Sequence, residues 1–203
     1  MKNKILRVEI SILIAIIMVN IFSFIGFSQQ CDDIRNKVLR MHVIANSDEN
    51  YDQKLKLKVR DAVLNEGGEL FDGSLTADDA EEKIKPNIKR LEDVAIDTVR
   101  REGYDYDVRI YVVDEFFKTR VYENSVTLPA GEYTAIKVVI GEGKGENWWC
   151  VMFPPMCLPS ASENTQINDV LNEEEIEIVS DYKRYTFKFK FLEIYKELTK
   201  KFK

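Results

Sequence analysis

The chain has 203 residues, 45% of them apolar and 32% charged, which is enough apolar material for one globular domain without a framework of disulfides. A net charge of −6 excludes the basic character on which general nucleic-acid binding depends. Three cysteines and a single histidine, His42, are too few ligands for a thiolate or imidazole metal centre, so neither a metal nor a cofactor is expected.

At the N-terminus, Lys2, Lys4 and Arg7 precede an apolar run from Ile10 to Phe27, broken only by small or polar residues. Residues 1–28 therefore read as a signal peptide or membrane anchor. As a helix the run reaches ~27 Å at 1.5 Å per residue, near the lower limit for crossing a bilayer. Gly26 and Ser28 place small residues suitably for a cut after Ser28, which favours cleavage. Cys31 follows Gln30 and not a small residue, which speaks against lipid attachment there.

A globular domain is assigned to residues 32–159. Val38 to Ala45 reads as a buried strand, and Asn46 to Asn50 as a polar turn. Leu55, Val59, Ala62 and Val63 then recur at helical spacing up to Gly67 and Gly68, with Asn50 and Gln53 spaced as a capping box. A second helical stretch runs from Thr76 to Gly103, with Pro86 opening its main segment. From Asp107 the period changes to two: Val108, Ile110 and Val112 alternate with Arg109 and Tyr111. Short β-like runs follow at 119–122 and 126–128, and Ala135 to Ile140 reads as a central strand. The class is α+β, a mostly antiparallel sheet with packed helices, plus the N-terminal export segment and a basic amphipathic tail.

The segment from Gly141 to Cys157, GEGKGENWWCVMFPPMC, is the most distinctive part of the chain. Gly141, Gly143 and Gly145 lack the spacing of a dinucleotide fingerprint, and Lys144 is not followed by the Ser or Thr of a phosphate loop. The expectation is a glycine-framed turn at the sheet edge that presents Trp148, Trp149, Phe153 and Met156 to a partner. The two tryptophans, adjacent on a strand, should face opposite sides, one inward and one available. Cys150 and Cys157 are a candidate disulfide, closing a short loop worth about 2.5 kcal/mol in the chain-entropy account; two small buried thiols are the alternative.

Residues 160–178 carry acidic side chains and no Lys or Arg, the profile of a solvated linker, assigned to 160–182. Residues 183–203 hold eight basic residues, with Phe187, Phe191, Ile194, Tyr195 and Leu198 on one helical face. A helix is expected there, either on an anionic membrane surface or packed back on the domain.

The runs LRMHVIANSD (39–48), KLKLKVRDAV (54–63), LPAGEY (128–133), VIGEGK (139–144) and NWWCVMFPPMC (147–157) together resemble the stage II sporulation protein R family of endospore-forming Firmicutes. The resemblance implies a protein made in the forespore and exported across its membrane to the intermembrane space. There it is needed by the sporulation sigma-E factor processing peptidase, a septal membrane aspartic protease that cleaves pro-sigma-E. It implies an intercellular signal and not an enzyme. The competing reading is an exported hydrolase with Cys150 as nucleophile and His42 as base, for which the sequence offers no third orienting residue.

Overall fold

The computed structural model describes residues 2–70, 74, 76–122, 126–156 and 167–201. Its frame is a four-stranded sheet of β1 (Leu39–Ile44), β2 (Val108–Phe117), β5 (Gly131–Ile140) and β6 (Asn147–Phe153), in the spatial order β2-β5-β1-β6. A separate two-stranded ribbon pairs β3 (Arg120–Val121) with β4 (Thr127–Leu128). The sheet is mixed: β2–β5 and β1–β6 are antiparallel, whereas the two central strands, β1 and β5, run parallel. The class is α+β as expected, and the parallel pair is the one pairing an antiparallel outline does not contain.

One face of the sheet carries α2 (Asn50–Leu70), α3 (Ala77–Ile84) and α4 (Ile88–Arg101). Leu39, Met41 and Val43 of β1 meet Ile136, Val138 and Ile140 of β5 and Leu55, Val59 and Val63 of α2 in this first core, all at most 2% exposed. Each such side chain contributes about 1.5–3 kcal/mol relative to exposure. Helix α2 runs on through Gly67 and Gly68, where a stop was expected. Leu70 packs on the first core, and that contact offsets the roughly 1 kcal/mol cost of each glycine. The Asn50–Gln53 capping box does not form either: the Gln53 amide already bonds the Glu49 carbonyl, and the Gln53 side chain donates to the Ser47 carbonyl at 2.9 Å. The box is made at α3, where Thr76 and Asp79 cap each other. Pro86 sits in a 3-10 turn, Lys85–Asn87, that divides the second helical stretch, and Gly103 at φ +85° ends it.

Among the described residues, the opposite face is covered over only part of its area, by the end of α1 (Lys2–Asn36), the β3–β4 ribbon, α6 (Glu173–Ser180) and α7 (Tyr182–Lys201). Phe27, Cys31 and Ile34 of α1 join Leu128, Tyr133, Val151, Ile178, Phe189 and Leu192 in this second core. Cys31 is a free thiol, fully buried. Arg40 is buried here with no carboxylate partner among the described residues. Its guanidinium lies 4.0 Å from the Phe117 ring centroid and 4.7 Å from that of Tyr133, and it donates to the Tyr122 hydroxyl.

The acidic stretch corrects the linker assignment. Residues 160–166 lie outside the described residues, but α5 (Ile167–Val170) and α6 are packed elements. Asn172 and Glu175 form a capping box, and Glu175, 1% exposed, takes the Lys37 ammonium at 2.7 Å. Composition suggested solvation; helix capping and a buried ion pair use these acids instead. The tail is a helix, α7, and its Phe189 and Leu192 are core residues.

Candidate functional site

Strand β5 and strand β6 are not neighbours, because β1 lies between them, so the connection 141–146 must pass over the end of β1. The two segments lock together there. The Gly145 amide bonds the Ala45 carbonyl at 2.9 Å and the Lys144 amide the Asn46 carbonyl at 3.2 Å. Asn46 Oδ1 accepts from the Glu142 amide at 2.9 Å, and Asp48 Oδ1 from the Glu146 amide at 2.6 Å. The buried Asp52 carboxylate receives Asn46 Nδ2 and Ser47 Oγ at 2.9 and 2.6 Å, which orients the loop. Lys56 Nζ donates to the Glu146 carbonyl at 2.8 Å, and burial lowers the pKa of that ammonium.

The glycines therefore serve the crossing. Gly141 and Gly143 take positive φ, +56° and +61°, and a Cβ on Gly145 would overlap the Ser47 carbonyl. The carboxylates of Asp48, Asp52 and Asp79 all have structural partners, so none forms a free acid pair.

Past the crossing the segment enters the sheet as β6 instead of leaving its edge. Trp148 and Trp149 face opposite sides, as alternation requires, but both are half-buried. Trp148 packs on the first core beneath Arg60, whose guanidinium is 4.5 Å from the ring centroid. Phe153 is 1% exposed in that core, so it is not a presented residue, and Met156 is half-buried against the second core. Cys150 is buried in the first core; Cys157, its expected partner, lies outside the described residues.

Trp149 lies on the second face, where the helices leave the sheet open. The register sets Trp149, His42, Lys137 and Tyr111 side by side across all four strands, with Ile44 and Val139 in the adjoining row. Trp149 stacks on His42 at 4.9 Å between centroids and meets Phe117 edge-on at 5.0 Å. Arg120 reaches the Trp149 ring at 5.3 Å. Glu115 joins the row from β2, 2.8 Å from His42 Nε2 and 3.3 Å from Lys137 Nζ. Tyr111 is 42% exposed, and Ile44, Val139 and Lys137 are half-exposed. This is an aromatic and charged sheet face, partly open to solvent, whose edge strands β2 and β6 have no further strand partner among the described residues. The alternation of Arg109 and Tyr111 was its trace in the sequence; nothing local joined it to Lys137 or Ile44.

His42 and Cys150 cannot act together. Cys150 pairs with Met41 and points into the first core, while His42 pairs with Trp149 on the other face. The hydrolase reading loses its two residues to opposite sides of one strand ladder. Among the described residues no group of three or more His, Cys, Asp or Glu is placed to hold a metal.

The stage II sporulation protein R family model matches residues 35–163. This chain belongs to that family. Stage II sporulation protein R of Bacillus subtilis (strain 168) is 33% identical over 141 residues, covering 70% of this chain and 62% of the relative. The chain thus spans somewhat less than two thirds of that relative's length. No solved structure matches. The family match contains the crossing and the open sheet face; it ends before α5 and does not reach α6 or α7.

Gly145→Ala should lower stability by about 2 kcal/mol or more, because its Cβ would press on backbone that cannot rotate away. Chemical denaturation measures this, and an unchanged midpoint would show that the loops separate at little cost. A second expectation concerns pH. Burial pushes the His42 imidazole below its ordinary 6.5, Lys137 and Arg40 push the same way, and Glu115 opposes them. The unfolded chain then takes up the proton first, so stability held by neutral His42 is full above 6.5 and is lost as pH falls below it. The loss of midpoint between about pH 7 and about pH 5 should be smaller in His42→Gln than in the wild type.

Proposed function

We propose that this chain is the exported forespore signal that lets the sporulation sigma-E factor processing peptidase cleave pro-sigma-E, and that the open sheet face around Trp149 is its contact surface. The family membership supports the sporulation role. The observation that carries the contact surface is the uneven covering of the second face: among the described residues α1, α6 and α7 close one part, His42 is buried at its border, and Tyr111, Lys137 and the half-buried Trp149 beyond it reach solvent. Tyr, Trp and Arg are the residues enriched at interface hot spots, and Tyr111, Trp149 and Arg120 border this face.

The reading includes export. The apolar helix α1 is compatible with a signal peptide or an anchor, and its basic N-terminal end favours an orientation that exports the domain. Retention is favoured by packing: a cut after Ser28 would remove Phe27, 3% exposed, from the second core, where it stacks on Tyr185 at 5.6 Å. Outside the cytoplasm, Cys150 and Cys157 would pair, leaving Cys31 as the single thiol in the unfolded chain. Alkylation under denaturing conditions with a mass readout tests the bridge, and three modified cysteines exclude it.

Tyr111→Asp and Trp149→Ala should each reduce pro-sigma-E cleavage in sporulating cells by about tenfold or more while the protein still accumulates in protease-resistant form. Lys89→Ala on α4, on the far side of the first core, should leave cleavage unchanged. Wild-type cleavage in both face variants would overturn this contact surface.

A further inference from the structure

Helix α7 has two apolar faces, and only one of them is used by the fold. Phe189 and Leu192 enter the second core, at 1% and 0% exposure. Phe187, Phe191, Ile194, Tyr195 and Leu198 follow i, i+4, i+7, i+8 and i+11 spacing and form a separate stripe on the surface. Phe187 is 90% exposed, Phe191 58% and Leu198 51%. A soluble surface does not normally leave a contiguous row of large apolar side chains open.

The stripe is continuous with the membrane helix. The Phe24 ring meets Phe191 edge-on at 4.7 Å between centroids and Tyr195 at 6.1 Å. Between the two helices runs an apolar cleft of about 530 Å³, lined by Ile16, Ile17, Ile21, Phe24, Phe187 and Phe191. Helix α1 serves as a ruler for depth. Phe24 lies one turn, ~5 Å, before Phe27 at the end of the apolar run, and Ile21 lies ~9 Å before it. An interfacial amphipathic helix seats its apolar face ~5–10 Å into the boundary between headgroups and acyl chains. The depths agree.

Charge agrees as well. Lys183, Arg184, Lys188 and Lys190 border the stripe near its N-terminal end, on a protein whose net charge is −6. Lys188 Nζ lies 3.1 Å from Ser23 Oγ of α1, ~6 Å before Phe27 by the same rise, and 5.4 Å from the Phe27 ring centroid, within reach of the headgroups for a long side chain that extends past Phe27.

We propose that α7 is an interfacial membrane helix, its Phe187–Leu198 stripe seated in the leaflet on the domain's side beside a retained α1 and its basic borders bound to anionic phospholipid headgroups. Three contacts fix the domain to the bilayer in this arrangement: the span of α1, the stripe of α7 and the basic border. The tilt of the sheet to the membrane is then set, and the open face is held at a constant height above the bilayer. The inference rests on retention of α1 but not on the signalling role.

The test uses the full-length protein reconstituted in vesicles of phosphatidylcholine and phosphatidylglycerol in which the acyl chains of part of the lipid are brominated. In Phe187→Trp, emission from the reporter at position 187 should fall by roughly half, while wild-type emission from Trp148 and Trp149 stays nearly constant. Replacing phosphatidylglycerol by phosphatidylcholine, or adding Lys183→Glu and Lys190→Glu, should weaken the quenching. Intact mass of the same sample separates the two ideas. Absent quenching with α1 present overturns the α7 placement and leaves the anchor standing, whereas loss of α1 from the cell-derived protein overturns the anchor. Protection of the reporter without bromine quenching, together with concentration-dependent cross-linking, assigns the stripe to a second copy and also overturns the proposal.

Discussion

The structure depends on one crossing. The chain leaves β5, passes over the end of β1 and returns as β6 on β1's other side, so two stretches of backbone must approach within hydrogen-bond distance of each other. That approach needs glycine where a side chain would strike a carbonyl, and it needs polar side chains to receive the amides the turn leaves unpaired. Asn46 and Asp48 supply them, and Asn46 and Ser47 are held in turn by Asp52 from the first turn of α2. The crossing thereby couples β1, α2, β5 and β6. With the crossing made, the register of β6 is set, and so is the face on which each of Trp148, Trp149 and Cys150 must lie.

The sheet's two faces follow different logic. The first is sealed by α2, α3 and α4 and is wholly structural. The second is sealed only where α1, α6, α7 and the β3–β4 ribbon reach. Arg40 marks the covered part, with its charge met by aromatic rings and the Tyr122 hydroxyl in place of a carboxylate. Two residues along β1, His42 marks the border with the open part, stacked on Trp149 and facing Glu115. Strand β1 thus passes from the sealed core at Arg40 to the half-exposed Ile44 in a few residues. The proposed contact surface lies on the open part, next to the apolar helix α1, whose end is itself part of the covered one.

Much of this was legible in the sequence. The apolar N-terminal helix, the strand at Leu39–Ile44, the helices before the sheet and the alternation from Val108 onwards all carry local patterns whose physical cause is local. The distinctive segments that mark the family were visible too, but not why they go together: VIANSD and VIGEGK lie side by side only because the crossing stacks them. The acidic stretch was misread because composition counts charges and cannot see that Asn172 and Glu175 cap a helix or that Lys37 lies opposite. Phe153 was misread because an aromatic beside prolines resembles a displayed anchor until its strand is placed in the sheet.

By itself the sequence determined the class, the N-terminal apolar helix, most element positions and the family, since each rests on patterns within a few residues of one another. Only the tertiary structure decided that the glycine-rich segment is a crossing and an edge strand, and that Cys150 and His42 stand on opposite faces. Only it showed that Trp149 shares a surface with Tyr111 and Lys137. The physical reason is that which face a strand residue occupies, and what covers that face, is settled by pairing partners far away in the chain.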